Sequence, residues 1–142
     1  MNFVILTISI ILASALVGTA FAQSTSVEKE FTQAEIDDMK QKAVIIYMHE
    51  GTFTIEFFPE DAPNTVHNFL TLGESGYYDG IVFHRIIPGF MIQAGDPNTK
   101  GSDSDQTRWG QGGPGYSIKQ EFNTIMHKEG IVSMARSHHP DS

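Results

Sequence analysis

The sequence predicts a mostly β domain, a barrel or sandwich with flanking helices. Three observations lead there: many short β-branched runs, turn residues that close each run, and a helix with a clear start signal. The chain has 142 residues, which suits one domain and leaves little room for two. Hydrophobic residues make up 40% and charged residues 18%, so one sizeable core is possible and a disordered tail is not.

The first element is an address. Phe3 to Val17 is almost wholly apolar, and Ala20-Phe21-Ala22 follows as the small-x-small pattern of a secretory cleavage site. The expectation is a signal peptide over residues 1–22, cut after Ala22. A retained membrane anchor is the alternative, because the apolar length suffices to cross a bilayer and the basic n-region is only Met1-Asn2. Either reading puts the domain outside the cytoplasm.

Residues 23–42 read as a polar linker with a short helix over Gln33–Lys42. Thr32 and Glu35 form a capping box, and Phe31 can staple onto Ile36. The apolar face (Ala34, Ile36, Met39) is thin, which places the helix on the surface or makes it a spacer.

At Ala43 the texture changes. Ala43 to Met48 is a β-branched run and His49-Glu50-Gly51 a turn. Thr52 to Phe58 then alternates, with Phe53, Ile55 and Phe57 on one face, so a hairpin with one buried face is expected. Pro63 suits the first turn of a helix, Val66, Phe69 and Leu70 mark its apolar stripe, and Gly73 is its expected stop. Ile81 to Ile87 and Phe90 to Gln93 read as strands joined through Pro88-Gly89. Alternation sets Phe83, Arg85 and Ile87 on one side, His84 on the other, and Met91 with Gln93 on a shared face. Asn98 to Gly115 is a long polar loop of the kind that is functional or mobile. Tyr116 to Ile118 and Ile131 to Ala135 look like further short strands.

Composition removes several chemistries. Nine Lys+Arg against seventeen Asp+Glu leave a net charge of −8, which opposes nucleic-acid binding and electrostatic docking on anionic lipid. With no cysteine there is no disulfide frame, thiol nucleophile or Cys-based metal site. Gly110-Gln-Gly112-Gly113-Pro-Gly115 formally satisfies a dinucleotide fingerprint, but it lacks the preceding strand and following helix that hold the phosphate. The glycines instead suit a loop that packs closely. His138 and His139 with Asp141 offer at most an adventitious metal contact, and no H-E-x-x-H or Ser-His-Asp pattern occurs. What remains is Arg85 inside an apolar stretch. It is either a structural ion pair, with Glu56 or Asp96 as partner, or a cation aimed into a concave apolar site with Gln93 alongside.

Phe83-His84-Arg85-Ile86-Ile87-Pro88-Gly89-Phe90-Met91-Ile92-Gln93-Ala94-Gly95-Asp96-Pro97 closely resembles the signature of the cyclophilin-type peptidyl-prolyl isomerases. Glu60-Asp61-Ala62-Pro63, Tyr77-Tyr78-Asp79-Gly80, Gly112-Gly113-Pro114-Gly115-Tyr116 and Gly130 to Ala135 resemble further family segments in the right order, so the likeness covers residues 43–142. It implies a closed antiparallel β-barrel with capping helices, and rotation of X–Pro bonds in proline-containing polypeptides. It also implies a monomer and neither metal nor cofactor. By resemblance Arg85 is catalytic, Phe90 and Met91 take the proline ring, Gln93 bonds the substrate backbone, and Ala135 and Arg136 line the peptide groove. Two departures stand out. Ala94 occupies a position where the family often has Gly. The sequence also stops at Pro140-Asp141-Ser142, before the family's later pocket residues, last strands and second helix. The expected domain is therefore incomplete, weakly active and prone to aggregate. The rival readings are a non-catalytic proline-peptide-binding or scaffolding module and, more remotely, a metal-dependent enzyme built on His138 and His139.

Overall fold

The computed structural model describes residues 26–101 and 104–136. The expected leader, residues 1–22, lies outside them. Among the described residues no helix is long and apolar enough to cross a membrane.

Helix α1 spans Gln33–Lys40. Its start follows the sequence rule: Thr32 Oγ1 accepts from the Glu35 N–H at 3.4 Å, and the Glu35 carboxylate accepts from the Thr32 N–H at 2.8 Å. It ends at Lys40 rather than Lys42, because the Gln41 and Lys42 N–H groups close a turn on Asp38 and Met39 carbonyls before the chain extends. Its thin apolar face is not idle. Met39 is 4% exposed and packs with Val66 and Leu70 of helix α2, Pro63–Glu74. Phe31 and Ile36 flank the same cluster, so the stretch expected to be a spacer supplies part of the core.

Strands β1 (Ala43–Met48) and β2 (Gly51–Glu56) form the expected antiparallel hairpin around His49-Glu50. The register sets Val44 opposite Ile55 and Ile46 opposite Phe53, so all four share a face. That face is only half-buried, with Val44 and Phe57 reaching the helical core. The other face leaves Ile45 and Tyr47 51% and 78% exposed.

Helix α2 begins at Pro63, where a missing N–H costs nothing. Its N-cap, Ala62, has no side chain to offer. Glu121 takes over from across the fold. Its carboxylate accepts from the N–H groups of Asn64 and Thr65 at 2.9 and 2.8 Å, and from Asn64 Nδ2 at 3.1 Å. An anion there also suits the positive end of the helix dipole. Gly73 does not stop the helix. The stop is Gly76, in the left-handed region at φ +73°, with Tyr77 N–H donating to Leu72 O and Gly76 N–H to Gly73 O, both at 3.0 Å. This is a Schellman closure, which needs its glycine one residue past the C-cap, here Ser75.

Strands β3 (Arg85–Ile87) and β4 (Met91–Gln93) pair antiparallel through the turn at Pro88-Gly89. Gly89 has φ +74° and Phe90 N–H donates to Ile87 O at 3.0 Å, the pattern of a type II turn. The first strand is shorter than expected. Residues 81–84 stay outside it because the Val82 N–H is taken by Thr99 Oγ1 at 3.2 Å and the Ile81 N–H by Tyr78 O.

The long loop after β4 is tied down by one buried side chain. Asp96 is 3% exposed, and its carboxylate accepts from the N–H groups of Asn98, Gln111 and Gly112 at 2.7, 2.9 and 3.1 Å. Burial pushes its pKa up, but the amides of Gly112, Asn98, Gly110 and Gln111 outweigh this and hold it below the usual carboxylate range. Gly112 is needed for space. A Cβ there would collide with Asp96 Oδ1 and lie 2.6 Å from Asn98 Nδ2. Short 3₁₀ turns at Pro97–Thr99 and Gln106–Arg108 complete the loop.

Two expected strands do not form. Tyr116 to Ile118 contributes only a parallel bridge between Ile118 and Val27, a partner inside the presumed linker. Ile131 to Ala135 forms no strand among the described residues and stays irregular. The two hairpins are separate two-stranded sheets, so the described residues close no barrel.

Two predictions follow from the closure of α2 and the anchoring of the loop. Gly76→Ala should cost about 1–2 kcal/mol through its left-handed φ, whereas Gly73→Ala should gain about 0.5–1 kcal/mol inside the helix. Urea midpoints will separate the two, and equal effects would place the stop elsewhere. Asp96→Asn should cost about 1–3 kcal/mol at pH 7, since it replaces an acceptor by a donor before three amides. Because the folded pKa of Asp96 is depressed, its stabilisation is complete above the unfolded carboxylate pKa, about 4. It is lost as pH falls through the folded value. The stability gap between wild type and Asp96→Asn should therefore narrow below about pH 4, and a gap independent of pH would refute the assignment.

Candidate active site

The β3–β4 register decides which side chains can act together. Arg85 lies opposite Gln93, and Ile87 opposite Met91. In antiparallel pairs directly opposed residues share a face, so Arg85, Ile87, Met91 and Gln93 form one surface. Ile86 and Ile92 form the other, 64% and 56% exposed. The shared face is chemically mixed. Ile87 and Met91 are half-buried apolar groups, and Gln93 adds an amide that can donate and accept. Arg85 adds a permanent cation with several donors.

Arg85 is exposed, and none of the described ion pairs contains it. The structural salt bridge to Asp96 does not form, because the Asp96 carboxylate is committed to loop amides. Glu56 enters no described ion pair either. The guanidinium is thus left to face solvent or a ligand.

Supports come from behind this face. The His84 N–H donates to Gln93 O at 3.1 Å and continues the pairing past Arg85. The His84 ring lies beside Gly110, where a Cβ would sit 3.5 Å from Nε2. Its Nδ1 and the indole Nε1 of Trp109 are buried without a hydrogen-bond partner. Thr99, 1% exposed, donates its hydroxyl to Asp96 O at 2.7 Å while accepting from Val82. Tyr77 donates its hydroxyl to Gly95 O at 3.2 Å and stands edge-on to Tyr78 at 5.2 Å. Tyr78 stacks on Phe69, and Phe69 packs against Phe57, with ring centroids 5.0 and 5.8 Å apart. A row of rings thus links the end of the first hairpin, through α2, to the end of β4.

The remaining sequence candidates are placed differently. Phe90 sits in the turn and is 78% exposed. Ala135 and Arg136 lie in the irregular segment after Gly130, and the Arg136 guanidinium stands 5.6 Å over the Phe122 ring. An open groove of about 390 Å³ runs between α1 and α2, but none of the candidate residues lines it. His138, His139 and Asp141 lie outside the described residues, and among those described no cluster of ligands could hold a metal ion.

Sequence reasoning missed the supports. Asp96 was visible only as a possible partner of Arg85, although Asp-Pro-Asn is an Asx-turn signal in which the carboxylate accepts from the amide two residues on. Glu121 carries no local signal, since its target lies 57 residues away.

The β3–β4 hairpin lies within a stretch that matches a known family. The family model described as cyclophilin type peptidyl-prolyl cis-trans isomerase/CLD matches residues 43–142. A Synechococcus elongatus protein named peptidyl-prolyl cis-trans isomerase is 46% identical over 93 residues, which cover 66% of this chain and 58% of that protein. A Staphylococcus aureus protein, provisionally named for the same activity, is 39% identical over 117 residues, covering 82% of this chain and 53% of its own length. A Streptococcus pyogenes protein, provisionally named a bifunctional phosphatase and peptidyl-prolyl cis-trans isomerase, is 42% identical over 111 residues and is matched over 22% of its length. The chain thus spans little more than half of the first and second of these relatives. With its signature hairpin folded around Arg85 and Gln93 and a family match over residues 43–142, the chain belongs to the cyclophilin-type peptidyl-prolyl cis-trans isomerases.

Proposed function

We propose that this chain rotates X–Pro peptide bonds in polypeptides outside the cytoplasm, with Arg85 as the catalytic residue. One observation carries the reading: an exposed guanidinium outside every described ion pair shares a face with Met91 and Gln93, inside the segment that matches the family. The apolar stretch from Phe3 to Val17, followed by Ala20-Phe21-Ala22, supports the location.

The chemistry follows from the amide. Resonance gives the X–Pro bond double-bond character and a barrier of about 18–20 kcal/mol, so unaided exchange takes tens of seconds or more. Twisting the bond localises a lone pair on the proline nitrogen. A guanidinium aimed there stabilises the twisted state more than the planar one, and only such differential binding accelerates the step. Met91, with Phe90 swung onto it, would hold the proline ring and exclude water. Gln93 would hydrogen-bond the substrate backbone, and Ala135 and Arg136 would extend the groove. No proton is transferred, so an acid–base pair is not required.

The exposure of Phe90 favours a second reading, a module that binds proline peptides without turning them over. A protease-coupled isomerisation assay on an X–Pro peptide separates the two. Arg85→Ala should lower kcat/KM by about 100-fold or more, the loss of one positioned charge. Arg85→Lys should recover only part, because a point charge replaces a fork of donors. Full activity in Arg85→Ala would overturn the mechanism. Peptide binding by wild type with no rate enhancement would establish the second reading.

A further inference from the structure

We propose that residues 26–42 act as an intramolecular clamp, so that the folded unit includes them ahead of Ala43. The family match begins at residue 43, and the sequence reads the preceding stretch as a linker. Its contacts are not those of a linker.

The clamp grips two parts of the fold. At its start, Val27 N–H donates to Ser117 O at 2.8 Å and Val27 O accepts from the Lys119 N–H at 3.4 Å, a parallel bridge on either side of Ile118. Ile118 is 7% exposed, so the bridge sits over a buried side chain. Glu28 receives Lys119 Nζ on both carboxylate oxygens at 3.0 Å. The Lys29 N–H then donates to Asn64 Oδ1 at 2.8 Å, at the first turn of α2. Further on, Phe31 tilts against His67 with centroids 5.2 Å apart, and Met39 enters the core between Val66 and Leu70.

These contacts close a circuit. Asn64 meets Lys29 through its side-chain oxygen and Glu121 through its amide groups. Tyr116 donates its hydroxyl to Asn68 Oδ1 at 2.6 Å. Segment 116–121 is therefore held between the clamp and α2. That segment continues the Gly-rich loop whose other end is fixed by Asp96, so the clamp anchors the loop's far end. The two Val27 hydrogen bonds run main chain to main chain and the buried contact at Met39 is apolar, which makes the clamp robust to salt in a way the exposed Glu28–Lys119 pair alone would not be.

The full chain, free of cysteine, permits a direct test. Val27→Cys together with Ile118→Cys should form a disulfide under mild oxidation, because bridge partners lie within cross-linking reach. Failure to form it would overturn the clamp. Independently, Val27→Pro removes the donor to Ser117. Amide exchange at Lys119 should then speed up at least about tenfold while the Ile46 and Phe53 amides stay protected, or protection should fall everywhere if the clamp is required for folding. Unchanged exchange at Lys119 would overturn the proposal.

Discussion

A carboxylate taken out of water needs donors, and Asp96 finds them in main-chain amides on both sides of the loop that follows it. The cost of leaving an ion unpaired in the interior is several kcal/mol, so this geometry is strongly selected once Asp96 is buried. Asn98 is local, whereas Gln111 and Gly112 lie across the loop. Gly112 must lack a side chain for the approach to occur. Thr99 then bonds both Asp96 O and the Val82 N–H, which ends the strand before Arg85. The length of β3, and hence the side chains it presents, thus depends on a residue that touches no candidate site group.

Helix α2 is organised by the same logic at larger distance. Its cap position holds Ala62, so its free amides take Glu121, and its C-terminus closes at Gly76. Between those ends Val66 and Leu70 face Met39, and Phe69 continues the row of rings towards Tyr77 and Gly95. Each of these contacts is weak alone, with aromatic pairs worth about 0.5–1.5 kcal/mol. Together they relate the first hairpin to the second, although the two sheets share no hydrogen-bonded strand.

The readable parts of the chain were those set by local rules. The capping box at Thr32, Pro63 at the helix start, the β1–β2 hairpin and the common face of Met91 and Gln93 depend on residues a few positions apart. The misread parts depend on distant partners. Gly73 looked like a stop because the choice between Gly73 and Gly76 rests on the whole terminal turn. Tyr116 to Ile118 read as a strand, but a strand exists only where another pairs with it, and Val27 offers a single bridge. The signature picked out Arg85 and Gln93 through resemblance. Spacing alone left Arg85 undecided between ion pair and free cation, until the commitment of Asp96 elsewhere showed which carboxylate was spoken for.

The exposure of Arg85 then bears on how strongly it would act in the proposed mechanism. Two unit charges 4 Å apart interact by about 1 kcal/mol in water and about 4 kcal/mol at the effective dielectric of a protein surface site. A developing lone pair carries less than a full charge, so the benefit in bulk water is smaller still. A guanidinium acts on such a charge more strongly when apolar groups shield it, and here Met91 is half-buried while Phe90 stands in solvent. In the proposed mechanism the rate of bond rotation would depend on how completely a bound peptide covers the β3–β4 face. Arg85 would supply the charge in that mechanism, and its surroundings would set the strength of the interaction.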